Sequence, residues 1–280
     1  MLAIALALGS SLAWGVSDFL GGLKSRTVSL LAVLVISQGT ALILLAAVVA
    51  SLAEGPPGGE FLLYAALAGL AEAVGVAALY RGLAVGVMSI VAPVAATAPV
   101  VPVAVGIALG ELPSPLQGAG IALAAVGIFV TASQPDSVAL SRSGTGASVV
   151  FGLLTALGFG AFYVAMDAAS EGEIPWALMV ARLTTVGVFG AAILATRSGL
   201  AMRRSDVPVI ALIGVVVIAG DSMYATASTH GLLSVVAVLS TLYPIVTIAL
   251  ARAFLAERIE RRQWIGITMC LSGVVAISAG

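Results

Sequence analysis

Charge is scarce in this 280-residue chain: 9% of its residues are Asp, Glu, Lys or Arg, and the formal net charge is −1. No excess of either sign is present for a nucleic acid to pair with, so nucleic-acid partners are excluded as an expectation. One histidine and one cysteine cannot build a metal cluster or a Cys/His nucleophile pair. Cys270 cannot close an intrachain disulfide and reads as helix packing. There is no HExxH, no GxSxG and no GxxxxGK[ST]; Gly158-Phe159-Gly160 and the glycines near Gly146 follow no strand. An enzyme, an ATP-driven pump, a bound cofactor and a metal site are therefore not expected.

What fills the chain instead is apolar residue: 61% of the total, with a mean hydropathy of +1.18. A soluble fold of this length needs far less. Apolar stretches of about 20 residues, the thickness of a bilayer core, recur along the whole length. Breaks at Gly, Pro and charge place spans at about 2–22, 28–52, 60–82, 86–108 and 114–132, then at about 147–168, 175–197, 207–229, 232–255 and 261–279. The first lacks a basic leader and reads as a retained span rather than a signal peptide. The expectation is an all-α membrane protein of ten transmembrane helices: a five-helix repeat over 1–132, a polar linker over 133–146, and a second five-helix repeat over 147–280.

The halves share polar and aromatic landmarks. Trp14-Gly15 is matched by Phe159-Gly160, Gly86 and Ser89 by Gly231 and Ser234, Pro99 by Pro244, Glu111 by Glu257, and Gln117 by Gln263. Five helices per repeat make the second half enter the membrane inverted. The charges agree. Lys24, Arg26, Arg81, Arg197, Arg203, Arg204, Arg252, Arg258, Arg261 and Arg262 fall at the ends of odd helices or in the loops after them, and loops after even helices carry no Lys or Arg. The positive-inside rule then puts odd-helix loops in the cytoplasm and both termini outside it.

These landmarks resemble the EamA-type branch of the drug/metabolite transporter superfamily. The Trp-Gly or Phe-Gly of each first helix, the Gly–Ser–Pro run of each fourth, and the Gly-Glu or Ala-Glu stop before a Gln-bearing fifth carry the likeness. It implies transport of amino acids, other small metabolites or drugs, often outward, with cytoplasmic termini. The basic residues argue for the reverse orientation.

Ionisable side chains inside a membrane cost at least roughly 2.5–3.5 kcal/mol each, so Asp18, Glu72, Arg182 and Asp221 are the candidates for function. At about 1.5 Å per residue, Glu72 lies roughly 18 Å into its helix, near the midplane. It is the first choice for carrying a proton or meeting a substrate cation; the alternative is a hydrogen-bonded helix contact. Asp221 and Arg182 fall at similar depth and are expected within ion-pair reach. Asp221, Tyr224, Ala225 and Ser228 share one helix face that could line a cavity. Asp18 is read as snorkelling toward Lys24 and Arg26, with a gate group as the alternative.

Trp14 and Phe159 are expected to line a central cavity, with Tyr163 one turn further on. Pro93, Pro99, Pro102 and Pro244 would bend the fourth and ninth helices. Ser89, Thr97, Ser240, Thr241 and Tyr243 are the polar candidates there, although most Ser and Thr side chains bond their own backbone. Gly82/Gly86 and Gly106/Gly110 have the spacing of close helix packing. His230 reads as a solvated surface residue. Together these readings point to a secondary transporter in a prokaryotic inner membrane. Its expected partners are a small-molecule substrate, protons and the lipid bilayer. A channel, or an intramembrane enzyme or sensor, is the rival class.

Overall fold

The computed structural model describes residues 1–25, 27–52, 55–85, 94–95, 97–132, 142–197, 202–255 and 261–279, and among them all regular structure is helical. The first half holds α1 (Leu2–Ser25), α2 (Leu30–Leu52), α3 (Gly59–Val85), α4 (Val100–Ala108) and α5 (Pro115–Ala132). The second holds α6 (Arg142–Ser170), α7 (Ile174–Thr196), a 3₁₀ turn (Arg204–Asp206), α8 (Val207–Ser228), α9 (Leu233–Ser240), α10 (Tyr243–Leu255) and α11 (Arg261–Ala279). Six of these, α1–α3 and α6–α8, are long and apolar enough to cross a bilayer, and α5 and α11 contain shorter apolar helices. Helices suit such apolar sequence because they satisfy their own backbone in lipid. Exposed Ile43, Leu63, Leu157, Leu183 and Leu212 give the bundle an apolar outer surface, as a lipid-facing protein requires.

Two expected helix boundaries need correcting. The span read at 232–255 is not one helix: α9 stops at Ser240 and α10 begins at Tyr243. Helix α6 begins at Arg142, inside the stretch read as linker. The break has a chemical cause. Pro244 has no N–H to donate to the Ser240 carbonyl, and the chain tightens into i→i−3 bonds, Leu242 N to Leu239 O (3.3 Å) and Ile245 N to Leu242 O (3.0 Å). Pro99 repeats the pattern, with Thr97 N bonding Val94 O (3.1 Å) and Val100 N bonding Thr97 O (2.9 Å). Ser89, Gly86, Pro93, Glu257 and Arg26 lie outside the described residues.

The halves pack as mates. Helix α1 lies on α8 as α6 lies on α3. A β-carbon on Gly220 would sit 2.8 Å from Trp14 Cδ1, and one on Gly75 would sit 2.7 Å from Phe159 Cδ1. Likewise a β-carbon on Gly15 would meet the Tyr243 carbonyl at 2.8 Å, and one on Gly160 the Ala98 carbonyl at 2.9 Å. Each pair is related by the same shift of 145 residues, so the backbone repeats in space as it does in sequence. Helices α5 and α11 close against each other through Gly120, Gly127 and Gly273.

Gly106 and Gly110 do not serve helix packing, contrary to expectation. Gly106 faces the Glu111 carboxylate, and Gly110 adopts φ +96°, a turn conformation that glycine adopts without steric cost. That turn aims Glu111 at the start of α9, where its carboxylate accepts from Leu233 N and, at 3.1 Å, from Ser234 N. An acid at a helix N-terminus satisfies open donors and complements the dipole.

Candidate functional site

Five helices deliver polar groups to a buried cluster. Arg182 of α7 is fully buried. Its Nη1 donates to Glu72 Oε1 of α3 at 2.8 Å and to Gln38 Oε1 of α2, and its Nη2 donates to Asp221 Oδ2 of α8. The Thr185 hydroxyl lies 3.3 Å from Glu72 Oε2. The Trp14 indole N–H donates to the remaining Asp221 oxygen, Oδ1, at 2.9 Å. Arg182 Nε has no partner among the described residues. Three buried charges are tolerable only because each is paired; removing one partner strands the others.

Position explains why the cluster forms here. Gly69 meets the Ala181 carbonyl as Gly214 meets the Ser37 carbonyl, so Ser37 and Ala181 occupy matching places. The residues after them, Gln38 and Arg182, are then mates, 144 apart in the chain, and they bond each other. A residue can touch its own mate only near the axis that relates the halves. In repeat-built transporters the substrate site lies at that interface.

A cavity borders the cluster. Its walls include Trp14, Asp18, Glu72, Phe159, Asp221 and Tyr243, and it offers the centres of water-sized molecules about 120 Å³. That is more room than a single water needs, and it suits several waters or a small metabolite. It runs toward the C-terminal ends of α1 and α3 and the N-terminal ends of α2 and α8, which is the end of Lys24, Arg81, Arg203 and Arg204. The opposite end is acidic, with Glu111, Asp167, Glu171 and Glu173 around a surface recess.

Between cavity and recess the rings of Trp14, Phe162, Tyr163 and Tyr224 stack into a plug. The Tyr163 and Tyr224 centroids are 5.1 Å apart, and those of Trp14 and Tyr224 5.8 Å. The Tyr224 hydroxyl donates to the Tyr163 carbonyl at 2.8 Å, and the Tyr163 and Thr241 hydroxyls bond at 3.0 Å. Buried aromatics with satisfied hydroxyls make a rigid closure.

The cavity thus lies between two repeats of one helical pattern, and the sequence comparison decides the lineage. The profile of the EamA-like transporter family matches residues 1–133 and again residues 146–279. The chain belongs to the EamA-like transporter family. This EamA-like protein is accordingly an integral membrane transporter of the drug/metabolite type. A solved crystal structure at 14% identity covers 99% of the chain, and 98% of its own, with a TM-score of 0.84, which supports the fold alone. No curated protein matches the chain.

Several site residues of this EamA-like chain sit differently from expectation. Arg182 and Asp221 do pair. Glu72 makes the hydrogen-bonded helix contact that was its alternative reading, because Arg182 reaches it from α7. Asp18 does not turn to Lys24, whose ammonium binds Asp206 at 2.9 Å. It is exposed, faces the cavity and has no hydrogen-bond partner among the described residues. Tyr224 lies in the plug with no exposed surface, not on the cavity wall. The Thr97 hydroxyl returns to the Val94 carbonyl at 2.6 Å and does not reach the cavity. His230 is exposed, with Nδ1 2.9 Å from the Thr226 carbonyl. Gln38 escaped the sequence reading; being the one amide inside α2 was its only signal.

Proposed function

We propose that this EamA-like protein is a secondary transporter that exports a small organic solute bearing a positive group, amino-acid-like or amphipathic. It alternates access by rocking two five-helix halves, 1–132 and 147–280, about the axis marked by Gln38 and Arg182, with 133–146 as the link. The supporting observation is the charge around the cavity. Asp18, Glu72 and Asp221 face it, while the single arginine behind them is occupied by two of the three. The remaining negative charge calls for a cation, and Trp14, Phe159 and Tyr243 supply aromatic faces for one. The basic end is assigned to the cytoplasm of a prokaryotic cell, and both termini to the outside, on the positive-inside rule.

The test is uptake into proteoliposomes with an imposed pH gradient, using a panel of primary amines, neutral solutes and carboxylates of matched size. Accumulation of amines against their gradient is expected. Uptake of carboxylates alone would refute the cation reading, and purely downhill flux would indicate a channel.

A further inference from the structure

Asp18 has a revealing mate. The shift that pairs Trp14 with Phe159 and Gly15 with Gly160 pairs Asp18 with Tyr163, Ser17 with Phe162 and Leu79 with Tyr224. The mates differ in surroundings. Asp18 is exposed to the cavity and Leu79 half-buried on its wall, whereas their mates Tyr163 and Tyr224 are 3% and 0% exposed inside the plug; Ser17 and Phe162 are both buried. In a carrier built of inverted repeats, closing one end and opening the other lets each half take up contacts its mate makes now. The basic end would then close around Asp18 as the acidic end is closed around Tyr163.

A tyrosine tolerates that place uncharged; an unpaired carboxylate does not. The Tyr163 ring is hemmed in by Trp14 at 5.9 Å, Phe162 at 5.8 Å and Tyr224 at 5.1 Å, and none of these neighbours carries a positive group that could pair with a carboxylate. A proton would neutralise one there. We infer that Asp18 must take up a proton from the basic end before that end can close, and that it thereby makes closure of that end pH-dependent. The inference rests on alternating access as read above. Asp18 keeps that proton while the basic end stays closed and returns it when that end reopens.

The other titratable groups around this cavity do not substitute for Asp18. From α8 comes Asp221 and from α3 Glu72, both held by Arg182 of α7. From α6 comes Tyr163, bonded to Thr241, and from α10 Tyr243. Helices α2 and α9 contain no titratable side chain.

The experiment needs no known substrate. Leu79→Cys in a Cys270→Ser background puts a thiol on the cavity wall, at the place whose mate is fully buried. Its alkylation by iodoacetamide is measured across pH in proteoliposomes, relative to the denatured protein at the same pH. One proton taken up on closing shifts the equilibrium toward the closed form by up to about tenfold per unit fall in pH. Relative reactivity should therefore drop as pH falls when Asp18 is present. It should be low and flat in Asp18→Asn, and pH-dependent again in Asp18→Glu. A pH response retained in Asp18→Asn, or a flat but high reactivity there, overturns the assignment while leaving alternating access standing. A thiol equally reactive at every pH in all three proteins overturns alternating access as well.

Discussion

Trp14 and Phe159 are the same position in two copies, yet they do different work. Each ring lies over a glycine of the partner half, Gly220 and Gly75 respectively. Trp14 goes further, donating its N–H to Asp221 and so tying the cavity wall to the buried charges. A phenylalanine has no such donor. The difference teaches that the two copies share a backbone geometry, set by glycine and proline, while each polar group stands at a position whose mate differs from it, some in one half and some in the other. Gln38 opposite Arg182 makes the same point: one mate is charged and the other supplies only an amide.

Orientation gives the largest contrast, because it is all-or-none. Thr229→Cys at the acidic end should react with an impermeant thiol reagent in intact cells, in a Cys270→Ser background. Arg204→Cys at the basic end should react only after permeabilisation. Both residues are exposed. The opposite pattern would show that the family's usual cytoplasmic termini, and not the basic residues, set the topology.

Removing the charge at the axis comes next. Arg182→Gln strands Glu72 and Asp221, and breaking a buried pair costs about 3–5 kcal/mol. Denaturation in detergent should show that loss, and transport should cease. A cycle with Asp221→Asn should give a coupling of about 0.5–3 kcal/mol; additive effects would mean that the contact is not energetically real.

The two ring-on-glycine contacts can then be set against each other. Gly220→Ala and Gly75→Ala should each cost about 1–3 kcal/mol by overpacking. Only Gly220→Ala should shift Trp14 fluorescence and weaken transport beyond the stability loss, because only Trp14 continues to Asp221. Equal functional effects would erase the distinction. Smallest of all, Tyr163→Phe removes a buried hydroxyl and leaves Thr241 bonded to the Ala237 carbonyl, which should lower stability by about 1 kcal/mol.

Much of the fold is legible in the residues, for a reason that sets the limits too. Lipid forces self-satisfied helices, so apolar run length alone gives α1–α3 and α6–α8. Depth along a helix is equally readable, which is why Arg182 and Asp221 could be matched. Rotation about the helix axis is not readable when every face is apolar. That hid whether Asp18 turned outward to Lys24 or inward to the cavity, and sent Tyr224 to the wall instead of the plug. The break between α9 and α10 was signalled by Pro244, but a membrane proline bends some helices and interrupts others, and only the backbone bonds at Leu242 and Ile245 distinguish the two.

Cys270 is fully buried in the α5–α11 seam, where Gly127 leaves room for its sulfur and the Ala124 carbonyl lies 3.6 Å away. Being the only thiol in the chain, it is a built-in clock for that seam. If these two helices stay clasped while the rest of the bundle moves, the native protein will resist thiol reagents through every turnover. The rate at which Cys270 is modified will then record only the rare local unfolding of this seam.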